Sequence, residues 1–284
     1  MKKLVAKLRN LILPALFVAG MIAITVSPLF AAEEKPTGDL TVSALSRYIW
    51  RGYEMSRNSV VIQPSLTIDY KGFTANLMGY IDTSPYSPAG ESYAGTLTET
   101  DVTLSYSKTM GLFTIGGGYG FYDMNARHRD AEVRDNMHEL FASLGLTTLL
   151  APTLTVCRDI NHYRNWYFQV GISHTAELSK NISLKLAASA GYLLSTDADT
   201  YPKYDDDGLV SADKFRNFHD GLVSASLPVQ VTDRITVTPN ITYTFPLTSD
   251  AKAEMQATGL KGTSAPADRE ASFVYGGISL GCSF

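Results

Sequence analysis

Ser173 and His174 place a hydroxyl next to an imidazole, the two groups that covalent catalysis most often combines. A nucleophile and its base must lie within hydrogen-bond reach of each other. Both residues, however, fall in a segment that reads as a β-strand, where successive side chains point to opposite faces. The other histidines have no G-x-S-x-G or H-E-x-x-H context. The sequence therefore predicts a protein that is not an enzyme.

The segment 197–208 contains five aspartates, whose carboxylates are ligands suited to Ca²⁺. It lacks the glutamate that closes a twelve-residue calcium loop, so a solvated acidic loop is the favoured interpretation. Cys157 and Cys282 have no partner residues at a metal-site spacing. We therefore predict neither a metal nor a cofactor. A basic cluster at 127–134 could contact lipopolysaccharide phosphates, but acidic residues among its arginines favour a mixed surface.

The N-terminal residues have the three-part layout of a secretory signal peptide. Lys2, Lys3, Lys7 and Arg9 precede an apolar run from 11 to 26, and Ala31 and Ala32 follow. That run is shorter than the roughly 20 residues of a spanning helix, although an uncleaved anchor is the alternative. We expect residues 1–32 to be a signal peptide and residues 33–284 to form one domain. Without residues 1–32 the net charge falls from −4 to −8, which argues against nucleic acid as a partner.

Beyond the leader, apolar and polar residues alternate over stretches of about ten residues, the pattern of a strand with two different faces. In Ile235–Phe245, for example, every second residue is apolar and the others are threonine or asparagine. Single-chain outer-membrane barrels have an even number of such strands. We count twelve, near 40–51, 60–70, 73–82, 98–106, 112–122, 137–146, 153–160, 166–177, 182–193, 221–229, 234–245 and 273–284.

Short and long connections mostly alternate between these segments, as periplasmic turns and extracellular loops do in outer-membrane barrels. A soluble β-sandwich would also alternate in hydrophobicity, but without that asymmetry. We therefore predict an all-β fold, an antiparallel transmembrane β-barrel of about twelve strands in the bacterial outer membrane. Aromatic rings should face lipid at both rims: Tyr70, Phe73, Tyr106, Phe113 and Phe284 on the periplasmic side, and Tyr48, Trp50, Tyr119, Phe121, Trp166, Tyr192, Tyr243 and Phe245 on the outer side.

Several short stretches resemble the TorF-like porin family of outer-membrane proteins. They are Ser46-Arg-Tyr-Ile-Trp-Arg-Gly52, Gln63-Pro-Ser65, Tyr70-Lys-Gly-Phe73, Ser224-Ala-Ser-Leu-Pro228 and Thr236-Val-Thr-Pro239. The resemblance implies an outer-membrane channel and carries no catalytic or ligand residues. The terminal Phe284, with apolar residues at alternate positions before it, resembles the signal by which the barrel-assembly machinery recognises its substrates.

Charged residues at alternate strand positions should face the lumen, because a lysine or arginine facing lipid at mid-membrane costs about 2–4 kcal/mol. They could line a water-filled path, or they could pair with one another across the lumen. This set comprises three basic residues, Arg47, Arg51 and Lys185, and five acidic ones, Asp69, Asp82, Glu99, Asp101 and Glu139.

Their balance predicts a channel for passive diffusion of ions or small hydrophilic solutes, with a weak preference for cations. Arg47 and Arg51 could instead form an anion-selective constriction. Gly116, Gly118 and Gly120 should leave space for a pore, which Met78, Tyr80, Tyr122 and Phe141 could partly fill. The alternative function is a closed barrel that acts as a scaffold, adhesin or receptor through its extracellular loops.

The two cysteines should remain free. On the alternation above, Cys157 faces the lumen with Thr155 and Asp159, whereas Cys282 faces lipid with Phe284. A disulfide requires Cα atoms within roughly 7 Å and converging Cβ atoms.

Overall fold

A computed structural model describes residues 35–56, 59–83, 95–124, 136–161, 163–199, 201–205, 208–258 and 269–284. Residues 36–284 form one compact unit. The expected signal peptide and the basic cluster at 127–134 lie outside the described residues. None of the helices within the described ranges is long and apolar enough to cross a membrane.

Twelve antiparallel strands form a closed barrel, as predicted. Neighbouring strands pair in chain order, and the first pairs with the last, from Asp39 opposite Ser283 to Leu45 opposite Gly277. A closed wall leaves no unpaired edge, which is the condition for a β structure to span a bilayer. The strands are β1 Thr37–Leu45, β2 Val61–Tyr70, β3 Phe73–Asp82, β4 Thr96–Met110, β5 Phe113–Asp123, β6 Asn136–Leu146, β7 Thr153–Asp159, β8 Trp166–Ser179, β9 Ile182–Leu194, β10 Arg216–Ser226, β11 Ile235–Pro246 and β12 Phe273–Ser283.

The two ends of the barrel differ in the length of their connections. At one end the strands join through short turns such as Lys71-Gly72, whose φ angles of 52° and 85° fit the type I′ turn of tight hairpins. At the other end most connections are long, and they contain two short hairpins, Ile49–Trp50 with Tyr53–Glu54 and Pro202–Tyr204 with Val210–Lys214. The short-turn end is the periplasmic side and the long-loop end is the extracellular side. A two-residue strand, Val229–Gln230, continues the wall after β10 and pairs with β9 on one side and β11 on the other.

Apolar side chains cover the outer surface of the wall, and the inner surface is polar. In water this surface would be a large exposed hydrophobic patch, but it matches the hydrocarbon core of a bilayer. The protein is therefore an outer-membrane β-barrel. Outward-facing residues of this band include Leu104, Ile115, Leu140, Val170, Ile172, Leu186, Ile241, Ile278 and Leu280.

Aromatic rings mark both rims of this band, with an important exception. Phe73 packs against Tyr106 at the periplasmic end, and Tyr243 stacks on Phe245 at the extracellular end. The outward-facing positions expected for Tyr48 and Trp50 are wrong. Tyr48 is buried inside the barrel, stacked on the ring of Tyr80, and Trp50 also packs among interior side chains.

The reason is that β1 ends at Leu45, six residues earlier than predicted. The last wall contact is the hydrogen bond from the Ser46 amide to the Gly276 carbonyl. Arg51 and Gly52 then have φ angles of 48° and 83°, which form a turn rather than continue a strand. The chain from 46 to 56 folds into the lumen as a short hairpin, hereafter the inner hairpin.

A single helix, α1 (Ser249–Thr258), lies in the described part of the chain and was not predicted. The Thr248 hydroxyl accepts a hydrogen bond from the Ala251 amide, and Asp250 lies in the first turn, so both favour the helix N-terminus. Ala251, Ala253 and Met255 are buried. Helix α1 contacts β10 and β11, and it packs against the inner hairpin.

Candidate functional site

The periplasmic half of the lumen is lined by small polar side chains. The Ser43 and Ser279 hydroxyls are 2.8 Å apart, and the Asn76 amide donates to Ser65 and Thr67 across β2 and β3. Most of these inward positions retain partial solvent exposure. The lining includes Thr41, Ser43, Thr67, Thr103, Ser105, Thr155, Gln169, Ser189, Ser224, Thr236 and Thr238.

The extracellular half of the lumen is filled by the inner hairpin and helix α1. Met255 lies against the backbone of Gly52 at the tip of the inner hairpin, in a space that a Cβ atom would occupy. Tyr53, Tyr167 and Leu193 form a buried cluster with Met255. Two segments from different connections thus meet inside the barrel.

The space expected at the three glycines is occupied, by the Ser143 hydroxyl at Gly116 and by aromatic rings at Gly118 and Gly120. A Cβ atom on Gly118 would lie 2.6 Å from the Phe141 ring, and one on Gly120 would lie 2.7 Å from the Tyr122 hydroxyl. These glycines therefore let aromatic rings lie flat against the wall. They do not by themselves widen the passage.

Arg51 spans the lumen from the inner hairpin to β6, which lies nearly opposite β1 in the ring. Its Nη2 atom is 2.9 and 2.8 Å from the two carboxylate oxygens of Glu139. The guanidinium carbon lies 4.6 Å from the Trp50 ring centroid and 4.2 Å from that of Tyr167. The Arg51 side chain is 13% exposed and that of Glu139 only 3%. A charge-assisted bond in such a dry place is stronger than the same bond in water.

His219 is the centre of a second buried network. Its Nδ1 lies 3.1 Å from Asp220 and its Nε2 lies 3.0 Å from Glu254, so both nitrogens face carboxylates. The Tyr53 hydroxyl donates to Glu254 at 2.8 Å and also contacts the Tyr201 hydroxyl. This network joins the inner hairpin, α1 and β10.

An irregularity in the wall makes this network possible. The register of β9 against β10 shifts between Ala190 and Tyr192, opposite His219 and Asp220. A bulge of this kind allows two consecutive residues to be buried on the same side of a strand. Tyr167 donates to Asp220 at 2.9 Å across Gly191, where a Cβ atom would collide with both side chains. In helix α1, burial raises the pKa of Glu254, against the effect of its hydrogen bonds with His219 and Thr258.

Nearer the extracellular mouth, charges pair in more exposed positions. Arg47 lies 3.1 Å from both Glu54 and Glu270. Lys203 lies 3.1 Å from Asp250. Partial desolvation of Asp250 is outweighed by hydrogen bonds from Asn217 and Lys203 and by the lysine charge, which hold the pKa of Asp250 below its usual value.

The predicted site residues separate into two levels. Asp69 and Lys185 lie in the periplasmic half, where Asp69 accepts a hydrogen bond from Thr74 and Lys185 is exposed. The remaining predicted carboxylates are buried in the extracellular half: Asp82 with Ser59, Glu99 with Tyr48, Asp101, and Glu139 with Arg51. Arg47 and Arg51 belong to the inner hairpin and its base rather than to β1. Whether any of them lines a conducting path stays a prediction.

The set of predicted site residues omitted three buried residues of this level: His219, Asp220 and Glu254. Asp159 was also outside that set, although the alternation placed it on the lumen face beside Cys157, and there it is buried. His219 and Asp220 precede the predicted start of their strand, and Glu254 lies in the unpredicted helix.

Carboxylates dominate the extracellular half of the lumen. Of the residues that the structure describes, seven carboxylates are buried there, against Arg51 and His219 as basic partners. The seven are Asp82, Glu99, Asp101, Glu139, Asp159, Asp220 and Glu254. Within the described ranges, no three His, Cys, Asp or Glu side chains are placed to hold a metal ion.

Ser173, His174 and the two cysteines, which the sequence offered for chemistry, occupy positions that their structural surroundings explain. Ser173 faces the lumen side of β8, whereas the His174 ring donates to the Leu149 carbonyl, so the two do not form a catalytic pair. Cys157 is buried on the lumen side beside Phe141 and Tyr167, and Cys282 lies on the lipid side. Both cysteines are free, which confirms the prediction.

The fold is similar to those of solved outer-membrane channels. The NanC porin matches with a TM-score of 0.51 and 12% identity, over 86% of this chain and 98% of that one. The KdgM porin, solved in complex with disordered oligogalacturonate, matches with 0.46 and 9%, over 87% and 99%. The COG4313 outer membrane channel from Pseudomonas putida F1 matches with 0.45 and 10%, over 92% and 100%. No family model and no curated protein matches the sequence. The chain therefore shares the β-barrel fold of the NanC porin.

Proposed function

We propose that this protein is an outer-membrane channel for passive diffusion of ions or small hydrophilic solutes, with a weak preference for cations. The observation that carries the proposal is the periplasmic half of the lumen, where a closed wall encloses small polar side chains that remain open to solvent. A scaffold barrel has no need of such a lining, and eight-stranded barrels fill their interior with side chains.

The buried carboxylates support the cation preference. Arg47 and Arg51, which could have formed an anion-selective constriction, both lie against carboxylates instead. An acidic lining raises the local concentration of cations. Dissolved salt screens the more exposed of these charges, so the preference should decline as salt is raised. A barrel of twelve strands with a filled extracellular half admits only small solutes.

The expectations about export and assembly remain part of this proposal. Residues 1–32 act as a cleaved signal peptide, and Phe284 directs the chain to the barrel-assembly machinery. Lipid and lipopolysaccharide surround the apolar band. The TorF-like family is the one that the sequence stretches favour. The fold is consistent with these proposals and does not test them.

The second candidate is a closed barrel that serves as a scaffold, adhesin or receptor. One observation favours it: the inner hairpin and α1 fill the extracellular half of the lumen. A barrel closed in this way would present its loops without conducting.

Single-channel recording in planar bilayers separates the two candidates. The sample is first shown to be a closed barrel by its faster migration on gels when it is not heated. We expect discrete conductance steps and a modest cation preference that declines as salt is raised. The absence of steps, both in the wild type and in a variant with a shortened inner hairpin, would establish the closed-barrel function instead.

A further inference from the structure

The side chains around Arg51 have the chemistry that binds a planar cation, and most of them belong to the barrel wall. Glu139 on β6 supplies two oxygens, and Tyr167 on β8 supplies a ring face 4.2 Å from the guanidinium carbon. Trp50, on the inner hairpin itself, supplies a second ring face. Aromatic faces attract guanidinium groups through the ring quadrupole, and a carboxylate binds them through charge-assisted hydrogen bonds.

The guanidinium now in this site is carried on the long side chain of Arg51, which with Gly52 forms the tip of the inner hairpin. The hairpin backbone is held by the pairs Ile49–Glu54 and Trp50–Tyr53 and by the hydrogen bond from the Met55 amide to the Tyr48 carbonyl. The neighbouring Tyr53 is anchored separately by Glu254 and His219. The Arg51 side chain can therefore leave Glu139 by rotation about its own stem while the hairpin backbone stays in place.

We propose that Glu139 and Tyr167 form a binding site for the guanidinium or ammonium groups of permeating solutes, and that Arg51 is a tethered occupant which such solutes displace. This inference rests on the proposed channel function and names its substrate class as small organic cations. The occupied site closes the passage between the inner hairpin and β6, and the displaced state opens it.

The direct test is binding of ethylguanidinium to the purified protein in detergent, measured by calorimetry with ethylurea as the neutral control of similar shape. Arg51→Ala empties the site and removes the competitor. We expect Arg51→Ala to bind ethylguanidinium at least about tenfold more tightly than the wild type. If Arg51 leaves the site free in about a tenth of wild-type molecules, the apparent affinity of the wild type is lowered about tenfold. Ethylurea should not bind.

Two variants show that the site is the one described. Arg47→Ala removes an arginine of the same segment that pairs near the mouth, and it should bind ethylguanidinium no better than the wild type. Glu139→Gln combined with Arg51→Ala should lose the gained binding. Equal binding in all these proteins, or equal binding of ethylurea, would overturn the inference.

A fluorescence measurement keeps the test available if Arg51→Ala does not fold. The sequence has two tryptophans, so Trp166→Phe leaves Trp50 as the sole reporter beside Arg51. Ethylguanidinium should change the Trp50 emission by moving the Arg51 group from its face, and ethylurea should not. Identical responses to both compounds would contradict displacement.

Bilayer recording distinguishes failure of this inference from failure of the channel function. With both correct, Arg51→Ala conducts better than the wild type and ethylguanidinium blocks it. Tighter binding without any current would retain the cation site and reject the channel. Current that ethylguanidinium leaves unchanged, in a variant that also fails to bind it, would retain the channel and reject the site.

Discussion

The two halves of the lumen are enclosed by the same wall but are filled by different chemistry. The periplasmic half contains hydroxyls and amides such as Ser43, Asn76 and Ser279, which bond to each other and to solvent. The extracellular half contains charged and aromatic side chains, of which Arg51, Tyr53 and Glu254 come from segments inserted between strands. The difference shows that the wall sets the size of the barrel, whereas the inserted segments determine what fills its extracellular half.

The largest effect should come from removing the inserted segment. Replacing residues 47–55 by a short Gly/Ser linker removes the group that bridges to Glu139 and the ring that contacts Glu254. We expect a several-fold rise in single-channel conductance, because one of the two segments that fill the extracellular half is then absent. Replacing the exposed Leu209 and Val210 of the second hairpin by serine, which leaves Tyr201 and Lys203 in place, is the control and should leave conductance nearly unchanged. Equal effects would place the constriction elsewhere.

The next-largest difference between the two halves should appear in the free energy of unfolding. Glu254→Ala leaves the His219 Nε2 and the Tyr53 hydroxyl buried without the carboxylate that they share, while Asp220 still faces His219 Nδ1. The cost should be about 1–3 kcal/mol for each of the two groups. Ser43→Ala breaks only the hydroxyl contact with Ser279 in a solvated place, which costs about 0.5–1.5 kcal/mol. Urea unfolding of both variants in lipid vesicles measures the free energies. A smaller loss for Glu254→Ala than for Ser43→Ala would show that α1 is not held in the lumen.

Two glycines on the inner face offer a matched pair with a smaller effect. A Cβ atom on Gly191 would lie 2.5 Å from Asp220 and closer still to Tyr167, whereas one on Gly171 would meet nothing nearer than 3.7 Å. Gly191→Ala should therefore destabilise the barrel by about 1–3 kcal/mol through overpacking. Gly171→Ala should be neutral or slightly stabilising, since alanine loses less backbone entropy on folding. The same unfolding assay checks both, and a neutral Gly191→Ala would refute the close packing.

The smallest effect concerns Asp250 and Lys203 at the mouth. The folded state lowers the pKa of Asp250, so its ionised form stabilises the fold. That contribution is present above the usual aspartate pKa of about 3.9 and is lost as the pH falls through the lower folded value. Asp250→Asn should therefore cost a little stability at neutral pH and nothing at strongly acidic pH. A loss that is the same at both pH values would mean that the charge is not responsible.

The strands of the wall could be predicted from the sequence because a membrane requires apolar and polar residues to alternate along each strand. In β2 and β3, lipid on one side and water on the other impose an alternation that most residues obey, the exceptions being Val61, Met78 and Tyr80 of the filled extracellular half. The segment 46–52 also alternates, and this misled the prediction for Tyr48 and Trp50. Its turn at Arg51-Gly52 depends on a φ of 48° at an arginine, a conformation that composition does not signal.

The filled half could not be predicted, because burial there does not follow hydrophobicity. Helix α1 contains alanines, polar residues and one methionine without an apolar stripe, and it is buried only because it enters an existing cavity. The sequence placed Glu99, Asp101 and Glu139 on the inner face from alternation alone. How deeply these carboxylates are buried depends on side chains from distant segments, such as Tyr48 against Glu99 and Arg51 against Glu139. Pairing of that kind has no signature in a single sequence.

The reversal potential across a salt gradient tests the two-level lumen most directly. The wild type should select weakly for cations. Neutralising three buried carboxylates of the extracellular half, in Glu99→Gln, Asp101→Asn and Asp159→Asn combined, should reduce that selectivity, whereas Asp69→Asn in the periplasmic half should change it little. Anion selectivity of the wild type, or an equal response to the two sets of substitutions, would contradict an extracellular half that sets what passes.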